Sequence, residues 1–253
     1  MEIIGRGFVA QNLREVGIDH PRTVVLATGV ATTTVSSQEA YDKDAQILYD
    51  TIRRCCRRGE RLVYLSTASG AMYGADDCPT LEDGTVFPPL PYGRHKLAME
   101  AVLSRSEVDF LILRMTNLVG RAQRSHQLLP ALLTQVLSGR VRVYKGAHRD
   151  LLDVEHAIAM MDIMLSQGVS REVVNLGSGV AVPIDDILRH IERRIGLQAE
   201  REYCPQPPRT SSSAPVSIDK LTRLIPDVAT RFGLGPGYYR RVIDRYIEAP
   251  ALA

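Results

Sequence analysis

The sequence predicts an α/β fold in which a parallel sheet is covered by helices. Three short apolar runs rich in β-branched and aromatic residues indicate buried strands, at 24–26, 62–65 and 110–113. Between the first two runs, residues 38–58 place apolar side chains at helical spacing, which indicates an amphipathic helix lying on the sheet. Strands that alternate with helices are typical of parallel sheets.

Composition indicates an ordinary globular protein. With 253 residues, 45% of them hydrophobic, the chain can bury a core as one domain. The net charge of +2 comes from 31 basic and 29 acidic residues that are interleaved, so the sequence does not favour a nucleic-acid partner.

The cysteines and the apolar runs bear on localisation. Cys55, Cys56, Cys78 and Cys204 form no Cys-x-x-Cys pair, so we expect neither a metal site nor a disulfide framework, and a reducing cytoplasm fits best. No apolar run approaches about 18 residues and no leader is evident, so we expect neither membrane insertion nor secretion.

A glycine pattern follows the first strand at once. Glu2-Ile3-Ile4 leads into a Gly-x-Gly-x-x-Ala spacing before a helix, formed by Gly5-Arg6-Gly7-Phe8-Val9-Ala10. Gly5 permits a tight turn, Gly7 lets a pyrophosphate approach the backbone, and Ala10 lets the helix lie close to the strand. Residues 5–9 are therefore predicted to bind a dinucleotide.

Hydroxyl and amine groups cluster around the strand at 62–65. This strand ends at Ser69, and Tyr92 and Lys96 lie four residues apart on a predicted helix, so their side chains share a face. A nearby ammonium favours the phenolate form of tyrosine, which helps a phenol exchange a proton with a carbonyl oxygen near neutral pH. Ser69 would hydrogen-bond the same oxygen. The alternative is that Tyr92 only packs and Lys96 is only solvated.

These segments together resemble the paired signature of the extended short-chain dehydrogenase/reductase family, in Ser69-Gly70-Ala71-Met72-Tyr73-Gly74 and Pro91-Tyr92-Gly93-Arg94-His95-Lys96. The resemblance implies a Rossmann-like doubly wound sheet with a small C-terminal substrate lobe. It implies that Ser69, Tyr92 and Lys96 are catalytic. It also implies that the cofactor is bordered by Ala27, Thr28, Gly29, Tyr92, Lys96 and Asn117. Residues 1–120 would mainly bind the dinucleotide, and residues 121–253 would carry most substrate-binding elements of this single domain.

The early part of the chain departs from that family. Only residues 14–22 separate the first helix from the strand at 24–26, so two strands and a helix of the family are expected to be absent. The acidic residue that usually holds the adenine ribose has no counterpart among residues 23–27. A guanidinium at Arg6 suits a 2′-phosphate, so NADP(H) is favoured over NAD(H). Arg14 and Arg22 are expected to be ordinary surface charges.

The resemblance also points to residues that would face the substrate. The segment from Arg149 to Ala157 is similar to one whose arginine contacts a sugar-nucleotide diphosphate in relatives. Substrate-side candidates are therefore Ser69, Asn117, Arg149 and Arg209, the last in a Pro- and Ser-rich loop at 205–213. The alternative for Arg149 is a structural ion pair with Asp150 or Asp153.

Relatives perform several reactions with one Ser-Tyr-Lys centre. Dehydratases place acidic residues after the hydroxyl residue, whereas Gly70 and Ala71 cannot exchange protons, and His95 is the nearest alternative base in sequence. The resemblance therefore favours an NADPH-dependent 4-ketoreductase acting on a dTDP-linked 4-keto-6-deoxysugar. Alternatives are an epimerase, a ketoreductase of a polyketide-type substrate and a non-catalytic cofactor-binding sensor. Relatives often pair through helices near the serine and tyrosine, so a homodimer is expected.

Overall fold

The computed structural model describes residues 1–29, 37–74, 80–205 and 215–249. The strands in these ranges are β1 (Glu2–Ile4), β2 (Thr23–Leu26), β3 (Arg61–Thr67), β4 (Phe110–Met115), β5 (Asn117–Val119), β6 (Arg140–Tyr144), β7 (His148–Arg149), β8 (Leu151–Asp153), β9 (Glu172–Leu176), β10 (Val182–Pro183) and β11 (Glu200–Cys204). The helices are α1 (Phe8–Val16), α2 (Gln38–Arg58), α3 (Gly70–Tyr73), α4 (Pro91–Ser104), α5 (Leu128–Leu137), α6 (Val154–Ser166), α7 (Ile184–Ile195), α8 (Asp219–Leu224), α9 (Val228–Phe232) and α10 (Tyr238–Glu248). The loop predicted at 205–213 lies, apart from Pro205, outside the described residues.

A five-stranded parallel sheet in the order β1-β2-β3-β4-β9 forms the centre of the molecule. The strand residues of β2 are all buried, which explains their continuous apolar run. The predicted α/β fold with a parallel sheet is confirmed. In the described structure β1 lies at the sheet edge and pairs directly with β2, as expected from the short link after the first helix.

Helices cover the sheet on both faces. Val25 packs in the same core as α1 and α6, whereas its neighbours Val24 and Leu26 pack in a second core with α2 and α4. Successive side chains of a strand point to opposite faces, so α1 and α2 lie on opposite sides. The chain nevertheless moves in one direction along the sheet from β1 to β2 to β3. One of these two crossovers must therefore have the uncommon left hand, a consequence of the shortened N-terminal region.

Local signals fix the ends of the long helices. Ser37 caps the N-terminus of α2 by accepting from the Ala40 amide, and Gly59 ends it in the left-handed conformation. Gly196 ends α7 in the same way. α5 begins at Leu128, because Gln127 is extended and its side-chain oxygen accepts from the Arg124 amide.

The C-terminal part adds three two-stranded sheets, β5–β8, β7–β10 and β6–β11, packed with α5, α7 and α10. In β6, buried Val141 and Val143 alternate with exposed residues, so one face of this small sheet packs inward. Every helix in the described ranges is too short or too polar to cross a bilayer.

Candidate active site

A cleft of about 1210 Å³ lies at the carboxyl ends of the central strands. Ligands of open parallel sheets bind at this edge, because the loops that follow the strands converge there. Twelve of the fourteen residues proposed from the sequence line the cleft, namely Gly5, Arg6, Gly7, Phe8, Val9, Ala27, Thr28, Gly29, Ser69, Tyr92, Lys96 and Asn117. The fold thus brings the glycine loop and the Ser-Tyr-Lys group to one site.

The glycine loop and the start of α1 form one end of the cleft. Gly5 has a positive φ of 140°, and a Cβ there would lie 2.2 Å from the Ala27 carbonyl oxygen. A Cβ at Gly7 would meet no atom within 4 Å, so the space in front of this residue is open. No side chain caps the first-turn N–H groups of α1, and its first turn has no acidic residue. This end therefore fits the pyrophosphate of a dinucleotide.

Arg14 supports the glycine loop, which corrects its assignment as an ordinary surface charge. Its guanidinium donates to the carbonyl oxygens of Gly5 at 2.7 Å and Ile3 at 3.3 Å. These bonds satisfy backbone acceptors next to the sheet edge, where no further described strand pairs with β1. Arg22 is likewise structural, because it donates to the Arg58 and Gly59 carbonyl oxygens at the end of α2.

Three hydroxyl groups meet beside the end of β3. The Oγ1 of Thr67 lies 3.0 Å from the Oγ of Ser69, and the Thr67 hydroxyl is hydrogen-bonded to the Tyr92 phenol. The Ala71 amide also donates to the Ser69 Oγ, which fixes this side chain at the start of α3. Because Thr67 gives its one hydroxyl proton to Tyr92, Ser69 donates to Thr67 in the free protein, and its hydroxyl must rotate to donate to a bound carbonyl oxygen.

The electrostatics of Tyr92 differ from the expectation. Burial raises the pKa of the Tyr92 phenol to about 12, and the hydrogen bond from Thr67 opposes this only in part. Lys96 does not lower it as predicted, because its Nζ instead donates to the Tyr64 hydroxyl at 3.2 Å and the Leu65 carbonyl oxygen at 3.3 Å. The phenol therefore keeps its proton at neutral pH and can act as an acid.

A buried ion pair fixes α4, the helix that carries Tyr92 and Lys96. The Glu100 carboxylate on α4 accepts three bonds from two nitrogens of Arg114, from Nη2 to Oε2 at 2.7 Å and from Nε to Oε2 at 3.1 Å and Oε1 at 3.2 Å, and Ser66 also donates to Oε1. Arg114 also donates to the Tyr73 hydroxyl at 3.1 Å. Arg114 thus ties α4 to β4 and to α3, and it does not line the cleft.

Comparison with known proteins agrees with this architecture. The model of the NAD dependent epimerase/dehydratase family matches residues 8–177, two thirds of the chain. The chain belongs to this family. The matched range contains Ser69, Tyr92 and Lys96, and Gly5 and Gly7 lie just before it.

The curated relatives are distant. A dTDP-4-dehydro-6-deoxyglucose reductase of Escherichia coli is 23% identical over 55% of this chain and 47% of its own length. The UDP-glucose 4-epimerase GEPI42 of Cyamopsis tetragonoloba is 25% identical over 62% of this chain and 53% of its own. The chain thus spans about half the length of these relatives.

Solved structures extend the similarity to nearly the whole chain. The structure of RMD from Pseudomonas aeruginosa complexed with NADPH has a TM-score of 0.77 and covers 95% of both chains at 17% identity. The Thermus thermophilus UDP-glucose 4-epimerase complex with NAD has a TM-score of 0.71, covers 96% of this chain and 82% of that chain, and is 23% identical. These likenesses show a shared fold.

Of the substrate-side candidates, Ser69 and Asn117 line the cleft and Arg149 does not. Asn117 lines the cleft, and its side-chain amide donates to the Asp150 carbonyl oxygen at 3.1 Å. Arg149 lies outside the cleft lining, and its Nη1 donates to the His148 carbonyl oxygen at 2.7 Å. Asp150 accepts from the Ser178 hydroxyl, and Asp153 forms an ion pair with Arg245. Arg209 lies outside the described residues.

Other cleft residues had no strong sequence signal. Thr67 lies two positions before Ser69. Only the alternation of side-chain direction along β3 could have indicated that Thr67 and Ser69 face the same cleft. Gln123, Arg124, His126 and Gln127 reach the cleft from the turn before α5. In the described residues, no three His, Cys, Asp or Glu side chains converge as a candidate metal site.

Proposed function

We propose that the protein is an NADPH-dependent reductase of the 4-keto group of a dTDP-linked 4-keto-6-deoxysugar. The observation that carries the proposal is the charge of the cleft around the Ser-Tyr-Lys group. The described lining of the cleft contains no Asp or Glu. It contains four side chains of the basic residue types, Arg6, Arg14, Lys96 and Arg124. Such a lining favours two ligands that each carry a diphosphate.

The residues of the cleft have distinct roles in this proposal. Bound NADPH would supply a hydride to the ketone carbon. Tyr92, whose raised pKa keeps the phenol protonated at neutral pH, donates the proton to the ketone oxygen, and Ser69 hydrogen-bonds and orients that oxygen. Lys96 holds the nicotinamide ribose. Thr67 positions both hydroxyls.

Reduction is favoured over dehydration because of the residues after Ser69. Elimination of water needs a base and an acid, and Gly70 and Ala71 supply neither. His95 is the nearest other base in sequence, but its Nε2 is bonded to Asp44 at 2.8 Å and it does not line the cleft.

An epimerase is the second candidate, because one of the relatives is named as a UDP-glucose 4-epimerase. Epimerases retain their cofactor through the whole cycle. Here β1 is the edge of the described sheet and no acidic residue follows the glycine loop in the cleft, which suits a cofactor that leaves after each turnover. The edge position of β1 and the lack of an acidic residue in the described cleft lining therefore favour the reductase over the epimerase.

A turnover assay with dTDP-4-keto-6-deoxyglucose and NADPH tests the proposal. The reductase consumes NADPH in proportion to sugar reduced, followed by absorbance and mass spectrometry. Isomerised sugar without NADPH loss would instead establish the epimerase, and formation of 4-keto-6-deoxy product from dTDP-glucose would establish a dehydratase. No reaction with any nucleotide sugar, with cofactor bound, would leave a polyketide-type substrate or a sensor.

Arg6 is proposed to select NADPH. It is exposed at the cleft and forms no ion pair with another described residue. Arg6→Ala should weaken NADPH binding by about 1.5–3 kcal/mol, the range for a charge-assisted hydrogen bond, and leave NADH nearly unchanged. Fluorescence titration of both cofactors measures this, with Arg53→Ala, an exposed arginine on α2, as the control. Equal weakening of both cofactors would show that Arg6 supports the loop as Arg14 does.

The remaining assignments are proposals of the same kind. Asn117 faces the substrate side of the cleft, and Arg149 and Arg209 would contact the nucleotide diphosphate when the substrate is bound. We infer a cytoplasmic homodimer, with the free thiols of Cys55, Cys56 and Cys204 suited to a reducing compartment. Light scattering coupled to gel filtration measures the mass in solution.

A further inference from the structure

The central sheet ends at β1, on the side where a dinucleotide places its adenosine. In doubly wound folds a further strand and helix follow the glycine loop on that side, and they carry the group that holds the adenosine ribose. Here β1 pairs with β2 and is the edge of the described sheet. Only residues 17–22 separate α1 from β2, which is too few for another strand and helix. Residues 1–29, all of them described, therefore supply no such wall for an adenine ring.

The side chains at this end of the cleft carry charge but no group suited to pairing with a base. Among the lining residues from positions 1–29, only Arg6, Arg14 and Thr28 have polar side chains. Asn and Gln are the side chains that can pair with a donor and an acceptor of adenine at once, and these lining residues include neither. Residues 30–36, which follow in the sequence, are Val, Ala, Thr and Ser only.

The amide side chains elsewhere in the described lining are engaged by the backbone. Gln123 donates to a carbonyl oxygen of its own turn at 3.0 Å and accepts from an amide of that turn at 3.4 Å. Gln127 accepts from a backbone amide at 2.6 Å, and Asn117 donates to a backbone carbonyl oxygen at 3.1 Å. Because pairing with a base edge through two bonds needs both ends of an amide, these three side chains are not arranged for it.

The groups that remain at the adenosine end are two guanidinium groups and the open backbone at the start of α1. Arg6 and Arg14 are both exposed and both line the cleft. The Nη2 of Arg14 lies 2.7 Å from the Gly5 carbonyl oxygen, which holds this cation at the edge of β1. A guanidinium binds phosphate oxygens and stacks on the flat face of any base. Neither contact distinguishes one purine from another.

We propose that this site binds the phosphates of its dinucleotide and forms no hydrogen bonds with the edge of the base, so that it accepts nicotinamide dinucleotides with other purines. The inference rests on the proposed use of such a cofactor and extends it to the chemical class of ligand. A base edge that stays in water pairs with water before and after binding, so a change in its donors and acceptors leaves the affinity nearly unchanged. A site that pairs with the edge would lose about tenfold or more in affinity when a bond is left unmade.

Isothermal titration calorimetry of the whole protein compares NADPH with its analogue in which hypoxanthine replaces adenine. Hypoxanthine has a carbonyl oxygen in place of the amino group and an N–H in place of an acceptor nitrogen, so the edge is reversed. We expect the two dissociation constants to agree within about threefold. The 1,N6-ethenoadenine analogue, in which an added ring covers the same edge, should also bind within about threefold of NADPH. NADH and its hypoxanthine analogue give the same comparison without the 2′-phosphate.

Two controls show that the titration detects lost contacts at this end. Reduced nicotinamide mononucleotide, which lacks the adenosine half and its phosphates, should bind at least about tenfold more weakly than NADPH. Arg6→Ala should weaken NADPH and its hypoxanthine analogue by the same factor, because the base takes no part in that contact.

The outcomes separate this inference from the proposed reductase. A loss of about tenfold or more on replacing adenine by hypoxanthine would overturn the inference and leave the reductase proposal standing. Failure of all the dinucleotides to bind would overturn both. Equal affinities for the two bases would support the inference whichever reaction the protein catalyses, since no step of the measurement depends on turnover.

Discussion

Tyr92→Phe is expected to lower turnover by a factor on the order of 10² or more, the usual scale for loss of a positioned general acid. The Tyr92 phenol lies in the cleft beside Ser69 and Thr67. It keeps its proton at neutral pH, because burial raises its pKa to about 12. Phenylalanine keeps the ring and its packing, so the fold and cofactor affinity should be preserved. Steady-state NADPH oxidation and fluorescence titration of the cofactor measure the two effects separately.

Tyr49→Phe is the matched control for this substitution. Tyr49 is 43% exposed on α2 and does not line the cleft, so loss of its hydroxyl should leave turnover unchanged. Wild-type turnover in Tyr92→Phe would exclude Tyr92 as the acid, and the proton would then have to come from water or from the substrate. A fall in cofactor affinity equal to the fall in turnover would indicate a binding role alone.

Arg114→Met is expected to cost about 3–5 kcal/mol of unfolding free energy. The substitution leaves the Glu100 carboxylate buried without the described cation that forms an ion pair with it, and both residues are less than 5% exposed. It also removes a donor to the Tyr73 hydroxyl. Urea unfolding followed by far-UV circular dichroism measures the loss, because the chain has no tryptophan to report by fluorescence.

An exposed ion pair provides the comparison. Arg53 lies 3.7 Å from Asp50 on the surface of α2, and Arg53→Met should change the unfolding free energy by about 0–1 kcal/mol. The double variant Glu100→Leu/Arg114→Met should lose less than Arg114→Met alone, because no unpaired charge is left in the interior. If Arg114→Met lowered the unfolding free energy no more than Arg53→Met does, the buried Glu100–Arg114 pair would stabilise the fold no more than a surface ion pair.

Much of the site was predictable where its parts are close in the chain. The Gly5–Ala10 spacing is read from six consecutive residues, and the strand and helix around it follow from local hydrophobic pattern. Tyr92 and Lys96 are four residues apart on one helix, and their helix formed as expected. The missing N-terminal units followed from a count of residues, because a crossover has a minimum length.

Contacts between distant residues were not predictable. Asp44 and His95 are 51 residues apart, and nothing in either segment indicates that they meet. Arg14 was expected to be a surface charge, but its role depends on β1 being an edge strand. The pKa of Tyr92 moved opposite to the expectation, because desolvation by the surrounding helices outweighs a lysine whose ammonium is bonded to Tyr64 instead.

The sequence by itself determined the fold class, the glycine loop after the first strand and the spacing of Tyr92 and Lys96 on one helix, since each is encoded by short-range periodicity or spacing. Tertiary structure alone decided the surroundings of those groups. It determined which groups accept from the Lys96 ammonium, that Arg114 neutralises Glu100, and which of the candidate arginines line the cleft. The physical reason is that hydrogen-bond partners, burial and local charge are properties of the packed interior, where residues far apart in the chain set the dielectric environment of one another.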